Sequence, residues 1–223
     1  MVEKSLFMQL KEDEREVRRA LIMEAALELF KRKPFDEIGM RDIAAAAGVS
    51  PASIYRYFPS QEELFIEAFI QDLVVVGDEF KTRLERRLSA IKGKDPDIIF
   101  EFSNAVVDHL MDNEATFQMM SFLMIKGEMP AYLLKRFNLV QKSFIDKIDD
   151  VLHIAGFEGS VRFFSHTLFA SILGVLITFG NYPGRSKEEI KAHVHRLASI
   201  VATVFKHGIA PANEELREKY LNA

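Results

Sequence analysis

The chain has 223 residues, 48% hydrophobic and 28% charged, enough for one large or two small cores. It has no cysteine and no tryptophan, which excludes disulfides, zinc–cysteine sites and thiol catalysis. A net charge of -4 and a pI of about 5.9 speak against a broadly basic nucleic-acid coat protein, but leave room for a sequence-specific binder with local positive charge.

Residues 1–14 mix the apolar Leu6-Phe7-Met8 and Leu10 with Lys11-Glu12-Asp13-Glu14, and read as a partly ordered extension in preference to the alternative, a frayed helix leading into the next one. Glu3, Glu12, Asp13 and Glu14, with no long apolar core, exclude a signal peptide. An amphipathic helix is expected from Arg15 to Lys33, with Ile22, Ala26, Leu29 and Phe30 on one face. Lys31-Arg32-Lys33 would complement its dipole and Pro34 stops it. Phe35 and Ile38 anchor the connector that follows.

The stretch from Arg41 to Leu64 carries the most information. Asp42 to Ala47 is a strong helix former, stopped by Gly48, which takes the left-handed conformation freely. Ser50 caps a second helix with Pro51 at its first position, running from Ala52 to Tyr57. Ile54 and Phe58 face inward, leaving Ala52, Ser53, Tyr55, Arg56 and Tyr57 largely outside. Pro59 ends it, and Ser60 with Glu63 forms a capping box for the next helix. Helix, glycine turn, helix is the geometry that places a second helix in the major groove. Small residues permit close approach, the two tyrosines suit phosphates and thymine methyls, and Arg56 suits phosphate or guanine. On spacing alone, a two-helix corner in any all-helical protein fits as well.

Gly48-Val49-Ser50, then Ile54-Tyr55-x-Tyr57-Phe58, then Ser60-x-Glu62-x-Leu64 resembles the DNA-binding signature of the TetR family of bacterial repressors. The resemblance runs from about Arg18 to Phe69. It implies a homodimeric, ligand-released repressor with one N-terminal helix-turn-helix per subunit, and places Met40, Arg41, Ser50, Pro51, Ala52, Ser53, Tyr55, Arg56, Tyr57 and Gln61 at the DNA interface. The family usually has Thr at Met40 and Lys at Gln61, so one helix cap, one phosphate contact and one phosphate charge are missing.

The remaining chain reads as further helices. One runs from Gln61 through Val76, with Gly77 a candidate bend or break, and the resemblance implies that it links the two domains. Asp78 to Ile91 is helical and charged, and Asp95-Pro96 opens the next helix, Asp97 to Met111. Further helices span Ala115 to Ile125, Ala131 to Ile154, Ser160 to Phe179 and Lys187 to His207, with a short one from Glu214 to Leu221. The Ser160 to Phe179 helix is apolar on nearly every side, which predicts burial on all faces, with Ala170 and Gly174 allowing close helix approach. Its most apolar run, Leu168 to Phe179, is shorter than the ~18 residues of a membrane span. No strand signal competes. The fold class is all-α: an extension at 1–14, a helix-turn-helix domain at 15–60 and a helical ligand-binding and dimerisation domain at 61–223.

The last two long helices are the expected dimer interface, with a purely internal core role as the alternative. Nineteen phenylalanines and nine methionines suit an adaptable apolar cavity, although they equally fill ordinary cores. Candidate ligand contacts are Phe102, Asn104, His109, Phe117, Met120, Ser121, Met124, Phe137, Gln141, Phe144, His166 and Phe169, with Thr178 a further polar residue on an apolar helix. They suggest a small hydrophobic ligand, while Glu101, Asp108 and Glu114 leave room for a lipophilic cation. No metal, cofactor or enzyme motif is found: His193 and His195 point to different helix sides, and phosphate-loop and nucleophile-elbow patterns are missing. The reading is a cytoplasmic, ligand-responsive regulator that binds a double-stranded DNA operator. Its alternative is an all-helical small-molecule-binding or interaction protein that has lost sequence-specific DNA binding.

Overall fold

The computed structural model describes residues 2–33, 35–90, 97–209 and 213–220, and all regular elements among them are helical. Helix α1 (Val2–Phe30) is one continuous helix of 29 residues. The partly ordered extension expected at 1–14 is therefore helical from Val2, since no glycine or proline interrupts the chain before Pro34. The helix stops at Phe30, so Lys31, Arg32 and Lys33 fall in the turn beyond it, not in its last turn. Ile22, Ala26 and Phe30 form its buried face.

A 3₁₀ turn at Phe35–Glu37 leads to α2 (Met40–Ala46). Gly48 follows with φ +67, and the Val49 N–H donates to the Ala44 carbonyl at 2.9 Å, closing the helix end. Helix α3 (Pro51–Ile54) is a single turn, shorter than the pattern suggested. Residues 55–57 continue it as a tighter turn, with the Arg56 N–H on the Ser53 carbonyl (3.1 Å) and the Tyr57 N–H on the Ile54 carbonyl (3.0 Å). Pro59 disfavours the α region at Phe58, so the helix cannot run further.

Helix α4 (Gln61–Ala90) runs unbroken through Gly77. The expected break does not occur because a lone glycine weakens a helix without removing a backbone donor. A Cβ added at Gly77 would meet nothing within 4 Å. Gly77→Ala should therefore stabilise the protein by about 0.5–1 kcal/mol, read as a higher urea midpoint at unchanged slope. A lower midpoint would show that the glycine is required there.

Helix α5 (Ile98–Asp112) is capped by Asp97, whose carboxylate accepts from the Phe100 N–H at 3.2 Å. The cap expected at Asp95-Pro96 lies outside the described residues. Helices α6 (Glu114–Lys126), α7 (Ala131–Ile154), α8 (Arg162–Phe179) and α9 (Lys187–Val204) follow, with a π turn at Phe205–Ile209 and α10 (Asn213–Tyr220). Ser186 and Glu189 make a reciprocal capping box at the start of α9.

The chain divides into two compact units: Met1–Val74 with Gln118–Phe137, and Val75–Phe117 with Asn138–Ala223. The core of the first contains Phe30, Phe35, Phe65 and Phe122, with ring centroids 4.4 to 5.8 Å apart in five pairs. In the second, α5, α8 and α9 pack on one another over Phe102, Leu168, Ile172, Val194 and Ala198. Helix α8 as a whole has the length and composition of a membrane span, which the shorter run Leu168 to Phe179 had not. It is not buried on all faces within one chain. Phe163, His166, Ala170, Gly174, Ile177 and Thr178 are exposed, and nothing approaches Gly174 within 4 Å of an added Cβ.

Candidate functional site

The first unit presents one polar face built on a small apolar anchor. Ile54 and Phe58 are fully buried, which fixes the roll of α3. Ser50 caps it, its hydroxyl accepting from the Ser53 N–H at 3.1 Å. Pro51, Ala52, Tyr55 and Arg56 are exposed, and Ser53 and Tyr57 half-buried. The Arg56 guanidinium rests on the Ser53 hydroxyl at 3.2 Å, and Arg41 is exposed on α2. Neither arginine has a carboxylate partner among the described residues. The other basic residues nearby are mostly neutralised: Arg18 by Glu14, Arg19 by Glu67, and Lys31 and Arg32 by Glu28. The Tyr57 hydroxyl and Glu14 hold the Arg18 guanidinium above its ordinary protonation range.

Two proposed contact positions point elsewhere. Met40 is buried, because with Ile43 and Ala44 it occupies positions i, i+3 and i+4 on the inner face of α2. Its side chain is core and not a DNA contact. The Gln61 side-chain amide donates to the Ile38 and Phe35 carbonyls, tying the connector to the start of α4. Glu63 does not complete the capping box with Ser60. It accepts instead from the Tyr132 hydroxyl at 2.5 Å, while Ser60 still accepts from the Glu63 N–H.

The ligand candidates divide between the units. Phe102, His109 and Phe144 surround Phe80 at ring distances of 5.9, 5.2 and 5.6 Å, and Phe169 stacks on Phe144 at 5.1 Å. Phe117 is buried and Gln141 half-buried in the same unit. Met120 (buried), Ser121 and Phe137 (half-buried) belong to the other unit, where Phe137 packs 6.5 Å from Phe69. Met124 and His166 are exposed, so neither is enclosed as a ligand contact would be. Each lies on the outward face of its helix.

Asn104 belongs to a different, polar cluster. Its amide donates to the Phe100 carbonyl at 3.0 Å and its oxygen faces His195 Nδ1 at 2.6 Å. Beside it lies an open cleft of about 540 Å³ lined by Arg87, Phe100, Asn104, His195, Arg196, Ser199 and Ile200. The carboxylates considered for a lipophilic cation are engaged: Glu101 and Asp108 by Arg87 at 2.6 and 3.1 Å, and Glu114 by Lys187 at 3.5 Å. Burial alone would raise the Asp108 pKa. Lys191, His195 and Arg87 outweigh it and hold the carboxyl below its ordinary value.

Residues 22–68 match the family model described as bacterial regulatory proteins, tetR family. Over these residues, about a fifth of its length, the chain is similar to the TetR family. An HTH-type transcriptional regulator of Bacillus subtilis, YfiR, is 42% identical over 53 residues, 24% of this chain and 26% of the relative. An HTH-type regulator of Haemophilus influenzae is 30% identical over 88 residues, 38% of this chain and 42% of its own. The chain thus matches about a quarter and about two fifths of the length of these relatives. The fold extends further. The fatty acid degradation regulator FadR of Bacillus halodurans superimposes with a TM-score of 0.58 at 18% identity, covering 86% of this chain and 96% of its own.

The sequence pattern does not single out Phe80, the hub of the aromatic cluster. The available signal is the spacing Val76, Phe80, Leu84 on α4, all buried. His109 was identified, but its condition was not. It is only 4% exposed, and neither ring nitrogen makes a hydrogen bond. Burial, and then Arg83, lower its pKa from the ordinary 6.5, with the Val76 carbonyl, Glu79 and Asp112 as lesser opposing influences. The folded ring therefore takes a proton at lower pH than the unfolded ring, and stability falls as pH drops through 6.5. The slope from this one group is at most about 1.4 kcal/mol per pH unit. His109→Phe should flatten that part of the stability curve, measured by urea denaturation from about pH 7.5 to about pH 5.5. Parallel curves for the two proteins would show that His109 does not contribute to it.

Proposed function

We propose that this chain is a ligand-responsive transcriptional repressor of the cytoplasm that binds a palindromic DNA operator as a homodimer and is released by a small hydrophobic effector. The observation that carries the reading is the face of Ser50, Pro51, Ala52, Tyr55 and Arg56, held outward by buried Ile54 and Phe58, with Arg41 and Arg56 free of carboxylates among the described residues. Small side chains there allow a helix to approach base edges, and unpaired guanidiniums are available to phosphates or guanine.

The second unit supports the effector and the dimer. The rings of Phe80, Phe102, Phe144 and Phe169 favour an apolar ligand, and the pairing of Glu101 and Asp108 with Arg87 weighs against a cationic one. The outward apolar side chains of α8 and α9 suit a partner subunit. An effector that favours the DNA-free form about 100-fold would weaken operator binding by about 2.7 kcal/mol, enough for release.

Selection of random duplex DNA on the purified protein tests the reading. A palindrome should be enriched, and its affinity should fall steeply with salt. A folded dimer that enriches nothing would favour the alternative of a helical binding protein without sequence-specific DNA recognition.

A further inference from the structure

We propose that Arg19 is the positioning residue of the DNA-reading segment, and that the first two turns of α7 act on it through the buried carboxylate of Glu67. The proposal rests on the reading of residues 50–57 as the DNA-contacting face.

Arg19 makes three contacts. One guanidinium nitrogen donates to the Tyr57 carbonyl at 2.6 Å, and another pairs with the Glu67 carboxylate. The guanidinium plane lies over the Phe58 ring, 4.4 Å from its centroid. Carbonyls at a helix end lack intrahelical partners, and α3 is only one turn long. The charge-assisted bond from Arg19 supplies the partner at Tyr57. Tyr55 and Arg56 leave the backbone just before that carbonyl, so its anchoring sets the direction in which they project. Arg19 itself is turned inward, with its side chain 18% exposed and paired. It is placed to hold the reading segment, not to touch phosphate.

Glu67 is 3% exposed, so its charge must be compensated within the protein. Arg19 of α1 supplies this from one side. From the other, α7 brings the Tyr132 hydroxyl to 3.4 Å and the Arg136 guanidinium to 3.8 Å. All these groups lie in the first unit. Two cations from different helices thus share one carboxylate. If α7 draws Arg136 onto Glu67, the hold on Arg19 weakens, and with it the hold on Tyr57. Helix α7 continues to Ile154 and carries Gln141 and Phe144, two of the effector candidates. The junction is where a shift of that helix reaches the reading segment.

The test uses the full-length dimer, well below the melting temperature of each variant, with the operator obtained by selection. Arg19→Lys keeps the charge but loses the forked geometry. It should weaken operator binding about tenfold, while affinity for random duplex and its salt slope stay unchanged. Glu67→Gln should act in the same direction. Without DNA, amide exchange at residues 55–58 should be about tenfold faster in Arg19→Lys, with α4 unaffected. Tyr132→Phe should change operator affinity severalfold in the parent and leave it unchanged in Arg19→Lys, because both act through Glu67. An unaltered ratio of operator to random-DNA affinity, with unaltered exchange, overturns the positioning role. A shallower salt slope in Arg19→Lys overturns it too, by making Arg19 a phosphate contact. Additive effects of Tyr132→Phe and Arg19→Lys overturn the junction with α7. If the parent itself prefers no duplex sequence, the reading of the face fails, and the exchange rates still decide whether Arg19 and Glu67 hold the segment.

Discussion

Tyr55→Ala and Arg56→Ala are each expected to remove most of the operator affinity and leave the fold intact. Tyr55 is 54% exposed, and Arg56 is exposed with the Ser53 hydroxyl as its one partner among the described residues, so either truncation should change stability by less than about 0.5 kcal/mol. A good side-chain contact to a base edge is worth roughly 1–3 kcal/mol. A twofold operator makes each contact twice, so one substitution costs about 2–6 kcal/mol, a loss of about thirtyfold or more. Salt dependence separates the two possible roles of Arg56. If it binds phosphate, the variant loses affinity on every sequence and its salt slope falls by about two charges. If it reads guanine, the slope stays and one operator position relaxes. Titration of each variant against the selected operator at several salt concentrations gives both numbers. Two variants that bind within threefold of the parent would show that another surface reads DNA.

The helix-turn-helix was legible because its determinants are local. Gly48, the Ser50-Pro51 cap, Ile54 and Phe58 all act within one turn of themselves, and each does in the structure what its residue type predicts. Met40 was misplaced by the resemblance, although its spacing to Ile43 and Ala44 already marked it as core. The contacts that orient the helix-turn-helix were not legible. Arg19 reaches Tyr57 across 38 residues and Glu67 across 48, and nothing in the pattern of α1 distinguishes Arg19 from Arg18, which pairs with Glu14 on the surface. Periodicity tells which face of a helix is apolar, but not which helix it meets. The effector candidates show the same limit. Phe102, His109, Phe144 and Phe169 do come together, yet around Phe80, which lies in the charged helical stretch from Asp78 to Ile91. His166 was chosen because a polar residue on an apolar helix suggests a site, but that helix is apolar on its exposed side as well.

That exposed apolar side leads to the second large expected effect: Phe163→Glu combined with Ile200→Glu should convert the protein to a monomer. Phe163 on α8 and Ile200 on α9 are each 59% exposed, and Ile177 and Val204 on the same helices are 45% and 52% exposed. Side chains this exposed contribute little to one chain's core, so the variant should keep its helical content. In a twofold interface each substitution appears twice, placing four carboxylates on an apolar contact. Desolvating an unpaired charge costs several kcal/mol, so dimer dissociation should move by many orders of magnitude, from below to far above micromolar concentration. Sedimentation at micromolar protein reads the change directly, and circular dichroism checks that the helices remain. Operator affinity should fall in parallel, because a monomer engages one half-site and loses the second recognition element. A helical variant that still sediments as a dimer would place the interface on another face. The apolar side of α8 would then need a different occupant.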